Sequence, residues 1–258
     1  MARFFKKSTR SEVDIVIGEQ DGVRSLHLGG SMIQSAMRID APNELELVYT
    51  QCMMAFLLFH PAPSHILMIG LGGGSLAKFV YHKMPQTKTT VIEINQQIIT
   101  TACNYFSIPD EDDRFEIIQA DGGEFVANNL FSTDIVMVDG FDDGCQVSAL
   151  CSQDFYHQAR KILSKEGILV VNLLSRDKSL NTYLQRIRDS FQGHVIAMLS
   201  EVRGNLIVFA FKHSPGKVAW KVLKTRAKKL EEMYGLSFSD FVSKFRKYHT
   251  DTSNSLEI

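Results

Sequence analysis

The sequence has no stretch suited to leaving water. Its longest apolar run, Met53 to Phe59, is far too short to span a bilayer. The start MARFFKKSTR lacks the apolar segment of a secretory signal. There is no excess of charge: 28 Lys and Arg face 29 Asp and Glu, a formal net charge of −1. Such a balance gives no reason to expect a nucleic-acid partner. Cysteine is scarce. Cys52, Cys103, Cys145 and Cys151 form no CxxC pair and no zinc-ligand spacing, so they are expected as reduced, mostly buried thiols. Internal repeats and low-complexity tracts are also missing. These absences lead to the expectation of a cytoplasmic protein with no metal and no membrane contact. With 45% apolar and 22% charged residues, the composition excludes collagen-like, disordered and coiled-coil chains. The 258 residues fit one large α/β domain with small appendages.

Strand-like and helix-like runs alternate along the chain. His65–Ile69, Thr89–Ile94, Phe115–Gln119, Asp134–Val138 and Ile168–Leu173 read as strands, the last starting after a break at Gly167. Ser75–Lys83, Gln96–Phe106, Gly123–Leu130, Gln153–Leu163 and Lys178–Phe191 read as helices. His194–Leu199 and Asn205–Phe211 are separated by five residues, which forces an antiparallel hairpin because a parallel pair needs a long crossover. The fold class is therefore α/β: a doubly wound, mostly parallel, Rossmann-like sheet that ends in an antiparallel hairpin. That layout resembles the S-adenosylmethionine-dependent methyltransferases rather than the dinucleotide dehydrogenases.

Three segments follow from this reading. Residues 1–60 would hold a β-hairpin (Val13–Ile17 and Ser25–Leu28 about the turn Asp21-Gly22) and a linking helix, Leu45–Phe59, which Pro61 and Pro63 end. Residues 61–213 would form the methyltransferase-like core. Residues 214–258 would form a basic helical tail, in which Lys217–Tyr248 carries nine Lys or Arg against three acids. Val222, Ala227, Leu230 and Met233 would line its apolar face. A solvated packing helix is the ordinary explanation for such a tail, and a nucleic acid or another anionic partner the rarer one.

Four sites carry the chemistry. Gly70-Leu71-Gly72-Gly73-Gly74 lies between a strand and a helix, where glycines permit a tight turn and close ligand approach and helix amides favour electron-rich groups. Gly70, Gly72 and Gly74 are candidate nucleoside contacts. Glu93, nineteen residues beyond Gly74, can accept hydrogen bonds from both ribose hydroxyls. Asp121, followed by Gly122, can accept from an adenine amino group or cap the next helix. Asp139-Gly140-Phe141-Asp142-Asp143-Gly144 puts three carboxylates in five residues at the carboxyl edge of the sheet. Acids that dense suit a cationic ligand, and one could take a proton from an ammonium. A divalent metal is the rival, but no histidine or further acid stands at a convincing spacing.

The series GLGGGS, VIEIN, QADGGEF and DIVMVDGFDDG, followed by FYHQARKILSKEGILVVNL, resembles the spermidine synthase (polyamine aminopropyltransferase) family. The stretch SMIQSAMRIDAPNELELVYTQCMM resembles that family's segment from "QS" to "YQE". The resemblance covers roughly residues 25–175. It implies a methyltransferase-like core behind a small β segment, polyamine biosynthesis as the setting, decarboxylated S-adenosylmethionine as donor, and a small amine such as putrescine as acceptor. By position it implies that Gln34, Glu93, Asp121 and Gly122 bind the nucleoside, that Asp139 is the catalytic acid/base, and that Tyr49 and Asp142, with Asp143 beside it, hold the amine.

The chain also departs from the pattern. The family's GGGDG has an acid for the donor's amino end where this chain has Ser75. A histidine after "YQE" corresponds to Ala55, "DSSDP" has lost its proline, and the later tyrosine-proline segment is replaced by MLSEVRGNLIVF. A buried ammonium without a carboxylate is unfavourable by several kcal/mol, so Ser75 weighs against the decarboxylated donor while leaving adenosine binding intact. The expected function is aminopropyl transfer. Methyl transfer from intact S-adenosylmethionine and a non-catalytic nucleoside-binding relative are the alternatives. The oligomeric state stays open, a homodimer among the choices.

Overall fold

The computed structural model describes residues 15–29, 33–129, 131–142, 145–202, 204–249 and 254–258, with only the backbone of Asp142 and Cys145. Val13, Leu130, Asp143 and Gly144, which figure in the expectations above, lie outside the described residues.

The chain opens with three antiparallel strands, β1 (Ile15–Gln20), β2 (Val23–Leu28) and β3 (Ile33–Arg38). The turn at Asp21-Gly22 joins the first two, with positive φ at both residues. The third strand was not expected. The next apolar run, expected as one helix over Leu45–Phe59, is a short helix α1 (Val48–Met53) that tightens into a 3₁₀ segment, Met54–Leu58. That 3₁₀ segment is buried throughout, an apolar tightening of the helix end.

The core follows as β4 (His65–Ile69), α2 (Ser75–Lys83), β5 (Lys88–Glu93), α3 (Gln96–Tyr105), β6 (Phe115–Gln119), α4 (Gly122–Asn128), β7 (Thr133–Val138), the two-residue strands β8 (Phe141–Asp142) and β9 (Cys145–Gln146), α5 (Gln153–Ile162), β10 (Leu163–Leu174), α6 (Leu180–Ser190), β11 (Val195–Leu199) and β12 (Asn205–Phe211). The main sheet has seven strands in the order β11-β12-β10-β7-β4-β5-β6. The pairs from β10 to β6 are parallel, and β12 runs antiparallel to both β10 and β11. Gly167 does not break the chain before β10. The strand starts at Leu163 and absorbs a register irregularity between Leu163 and Ile168.

Alternation along each strand divides the core in two. Ile66, Met68, Val91, Met137 and Val170 face one layer with α2 and α3, while Leu67, Ile69, Val136, Leu169 and Val171 face the other with α5 and α6. Each fully buried side chain of this kind contributes roughly 1.5–3 kcal/mol.

The basic tail is not one helix. β13 (Lys217–Ala219) leads into α7 (Trp220–Tyr234), Gly235 stops it in the left-handed region at φ 71°, α8 (Phe238–Tyr248) follows, and β14 (Ser255–Glu257) returns to pair with β13. Of the expected apolar face, Ala227 and Leu230 are buried, but Val222 and Met233 are 43% and 66% exposed. Trp220, Leu223 and Tyr234 complete the buried face instead. α8 packs Phe245 edge-on against Phe209 of β12, with ring centroids 5.3 Å apart. The tail therefore covers the main sheet. Cys52 and Cys151 are buried free thiols and Cys103 is an exposed one. Among the described residues no helix is long and apolar enough to cross a membrane.

Candidate functional site

The sheet's strand order reverses between β4 and β7, and both strands end at the same edge. Gly70 after β4 and Asp139 after β7 meet there: the Asp139 amide donates to the Ile69 carbonyl at 2.9 Å, and the Gly70 amide to that of Ile92 at 2.9 Å. Gly70 has φ +98°, and a Cβ on it would collide with the Asp139 carbonyl. No other residue fits this crossing. Such a switch point is where doubly wound sheets place ligands.

A small pocket opens at this point, lined by Gln34, Ser35, Tyr49, Thr50, Met68, Gly70, Leu71, Gly72, Ser75, Leu76, Ala77 and Asp139. The structure thus brings together six sequence-nominated residues: Gln34, Tyr49, Gly70, Gly72, Ser75 and Asp139. Tyr49 donates to Oδ2 of Asp139 at 3.2 Å and lies 3.4 Å from the Gln34 carbonyl oxygen. Asn172 donates to Oδ1 of Asp139 at 2.8 Å. Burial raises the Asp139 carboxyl above its ordinary value, against the lowering pull of the Asn172 and Tyr49 bonds. Burial and the Asp139 charge push the Tyr49 phenol well above its own. Tyr49 is therefore a neutral donor, and each Asp139 oxygen accepts one bond from a neutral group.

Glu93, at the end of β5, is buried and closes on the glycine loop. Its Oε2 accepts from the Leu71 amide at 3.0 Å and its Oε1 from the Asn95 amide at 2.9 Å. Burial raises its carboxyl, opposed by the amides of Leu71, Asn95 and Ile94. Each oxygen retains a lone pair for a further donor. Asp121 adopts the capping role: Oδ1 accepts from the Gly123 and Glu124 amides at 2.8 and 3.0 Å, opening α4. Gly122 lies where a Cβ would strike Ile69, so it lets α4 close on the sheet.

Ser75 opens α2 in the pocket wall, 3.3 Å from the Ala36 carbonyl oxygen and 3.3 Å from Ser35 Oγ. It presents neutral oxygen only. Asp142 pairs through its backbone with Cys145 in the β8–β9 ladder. The side chain of Asp142, and all of Asp143, lie outside the described residues. Among the described residues no group of three His, Cys, Asp or Glu is placed to hold a metal ion.

Sequence reasoning missed Asn172 and Asn205. Asn172 is 1% exposed on β10, and its Oδ1 accepts from Asn205 Nδ2 at 2.8 Å. The available signal was a single amide inside the apolar run ILVVNL, since a buried polar group needs a partner.

A family model described as "Spermine/spermidine synthase domain" matches residues 46–214. A polyamine aminopropyltransferase of Chromobacterium violaceum is 40% identical over 258 residues, covering 98% of this chain and 99% of its own. A probable spermidine synthase from Corynebacterium glutamicum superposes with a TM-score of 0.72 at 17% identity, covering 91% of this chain and 92% of its own. Human methyltransferase-like protein 13, solved in complex with SAH, superposes with a TM-score of 0.67 at 26% identity, covering 73% of this chain and 93% of its own.

Proposed function

This chain belongs to the spermine/spermidine synthase family and is a polyamine aminopropyltransferase-like transferase, and we propose that it moves an aminopropyl group from decarboxylated S-adenosylmethionine to a small amine such as putrescine. The observation that carries the proposal is the Asp139 carboxylate, the one acid among the described residues lining the pocket, set at the switch point beside the glycine loop.

In this reading the loop from Gly70 to Gly74 receives the nucleoside. Glu93 accepts from the ribose hydroxyls with its two remaining lone pairs, and Asp121 and Gly122 border the adenine end. Gln34 and Tyr49 bound the far side of the pocket. The neutral amine attacks the carbon bound to the sulfonium. The carbon–sulfur bond breaks, its electron pair passes to sulfur, and methylthioadenosine leaves. Asp139 takes the proton that the new ammonium sheds. Asp142 and Asp143 hold the acceptor's second positive charge. Holding both reactants in line supplies much of the rate.

Ser75 favours one second reading. Its neutral hydroxyl faces the donor end without a countercharge, which suits intact S-adenosylmethionine and methyl transfer. The test offers both donors in parallel, with putrescine, spermidine and related amines, and identifies the product by mass. Aminopropylated amine supports the proposal, and methylated product alone replaces it with the second reading.

A further inference from the structure

Lys78 is buried where a helix pattern would turn a lysine to solvent. It lies in α2, just past the glycine loop, and is 0% exposed. Its ammonium donates to the Phe106 carbonyl at 2.7 Å and contacts the Met37 sulfur at 3.0 Å. Among the described residues no carboxylate pairs with it. Burial pulls its pKa from 10.5 to about 8. An ammonium held only by neutral acceptors is a poor device for stability, and a methionine would fill similar space without the desolvation cost.

Its partners are informative. Phe106 follows α3, and its ring lies 2.8 Å from where a Cβ on Gly73 would stand; Ser35 Oγ of β3 lies 2.7 Å from the same point. Ile108 closes on Gly74 in the same way. The 106–108 segment and β3 are thus the wall behind the loop, and Lys78 bonds one acceptor from each, the Phe106 carbonyl and the Met37 sulfur. A second cation, Arg24 of β2, donates to the neighbouring Tyr105 carbonyl but is also paired with Glu19 of β1.

We propose that Lys78 is a positioning residue of the donor half-site, its ammonium pinning the 106–108 segment and β3 against Gly73 and Gly74 and so fixing the loop that receives the nucleoside. This rests on the reading of that loop as the donor site. The charged and titratable groups on the surrounding elements are Arg24 and His27 on β2, Arg38 on β3, Tyr81, His82 and Lys83 on α2, and Cys103 and Tyr105 on α3. His82 is lowered by burial and by Lys78 itself, so it titrates below the range in which Lys78 discharges. Burial raises the Cys103 thiol. As pH rises through about 8, Lys78 loses its proton and with it the charge-assisted bond to Phe106.

The test measures methylthioadenosine affinity calorimetrically for the wild type and Lys78→Met from pH 7.0 to 9.5, with melting temperatures and with donor KM and kcat. The variant should melt no lower than the wild type, bind about tenfold more weakly at pH 7.0, and raise donor KM with kcat within about twofold. Wild-type affinity should fall several-fold between pH 7.5 and 9.5, and the variant's should stay flat. Equal affinity in the folded variant overturns the proposal, as does lower stability with unchanged KM. If Lys78→Met does not fold, the wild-type series decides: a fall supports the proposal and a flat series overturns it. A wild type that binds no methylthioadenosine overturns the donor-site reading, and this proposal with it.

Discussion

Asn172 can donate to Asp139 in one orientation only. Its Oδ1 is held by Asn205 at 2.8 Å, which turns its amide nitrogen onto Asp139 Oδ1, also at 2.8 Å. The Gln146 side chain fixes the Asn172 carbonyl at 3.2 Å. The first residue of β12 thereby sets the rotamer of a carboxylate on the far side of β10. The closing hairpin supports the site as well as the sheet.

Replacing Asn172 by Asp puts a second carboxylate within hydrogen-bond distance of the first. Like charges that close disfavour ionisation, so the Asp139 carboxyl rises further and the acid limb of the rate–pH profile moves to higher pH. Asn172→Ala should instead lower kcat about 10–100-fold with nucleoside affinity unchanged, as expected when a carboxylate loses its orienting bond. Steady-state kinetics across pH, with methylthioadenosine binding alongside, separates the two effects. A profile that does not move in Asn172→Asp rules out the coupling.

Glu93 carries the nucleoside prediction. Glu93→Ala should lose roughly 1.5–3 kcal/mol of methylthioadenosine affinity, the scale of a charge-assisted hydrogen bond. The substitution also orphans the amides of Leu71 and Asn95, so circular dichroism must first show the fold intact. Unchanged affinity in the folded variant would remove Glu93 from the site.

The core was legible because its signals are local and redundant. α2 begins and ends where its apolar spacing and the glycines before it require, and the five-residue gap before Asn205 permits only an antiparallel pair. What escaped depends on partners distant in sequence. β3 reads IQSAMR, with no clean alternation, and becomes a strand only by pairing with β2. Gly235 is a helix-stop signal that the long apolar period around it obscured. The burial of Lys78 has no local signal, because nothing nearby in sequence shows that the Phe106 carbonyl and Met37 will enclose it. Asp121 offered two roles from sequence, and its amide partners show that it caps α4.

Stability at acid pH should depend on Asp134, at the edge of the sheet away from the site. Burial would raise its carboxyl, but bonds from the Ser64 and Ser164 hydroxyls and the Ser64 and His65 amides outweigh that and hold it at about 2. A carboxyl depressed by folding stabilises fully above its unfolded pKa, and the contribution is lost as pH falls through the folded value. Asp134→Ala should therefore cost about 1–2 kcal/mol at pH 7 after allowance for solvent screening. That difference should shrink between about pH 4 and pH 2. Denaturant unfolding of both proteins at pH 7 and pH 3 checks it, and a pH-independent difference would assign the loss to packing.

Asp139→Asn is the most direct test of the chemistry. The amide keeps the size of the carboxylate and one carbonyl oxygen. That oxygen can still accept from Asn172, because Asn205 holds the Asn172 amide in place. The new amino group then faces Tyr49, whose hydroxyl can turn from donor to acceptor. The pocket should therefore keep its shape, and methylthioadenosine affinity should be unchanged. What is lost is charge and basicity, so transfer should fall by about 10²–10⁴-fold, the usual scale of a general base. In the wild type the rate should also fall on the acid side. Burial raises the Asp139 carboxyl, so it neutralises earlier than an exposed aspartate while the amine stays protonated. Because the variant has no carboxyl at this position to titrate, its residual rate should follow amine protonation alone. A variant that keeps wild-type turnover with the wild-type acid limb would place the base elsewhere in the pocket.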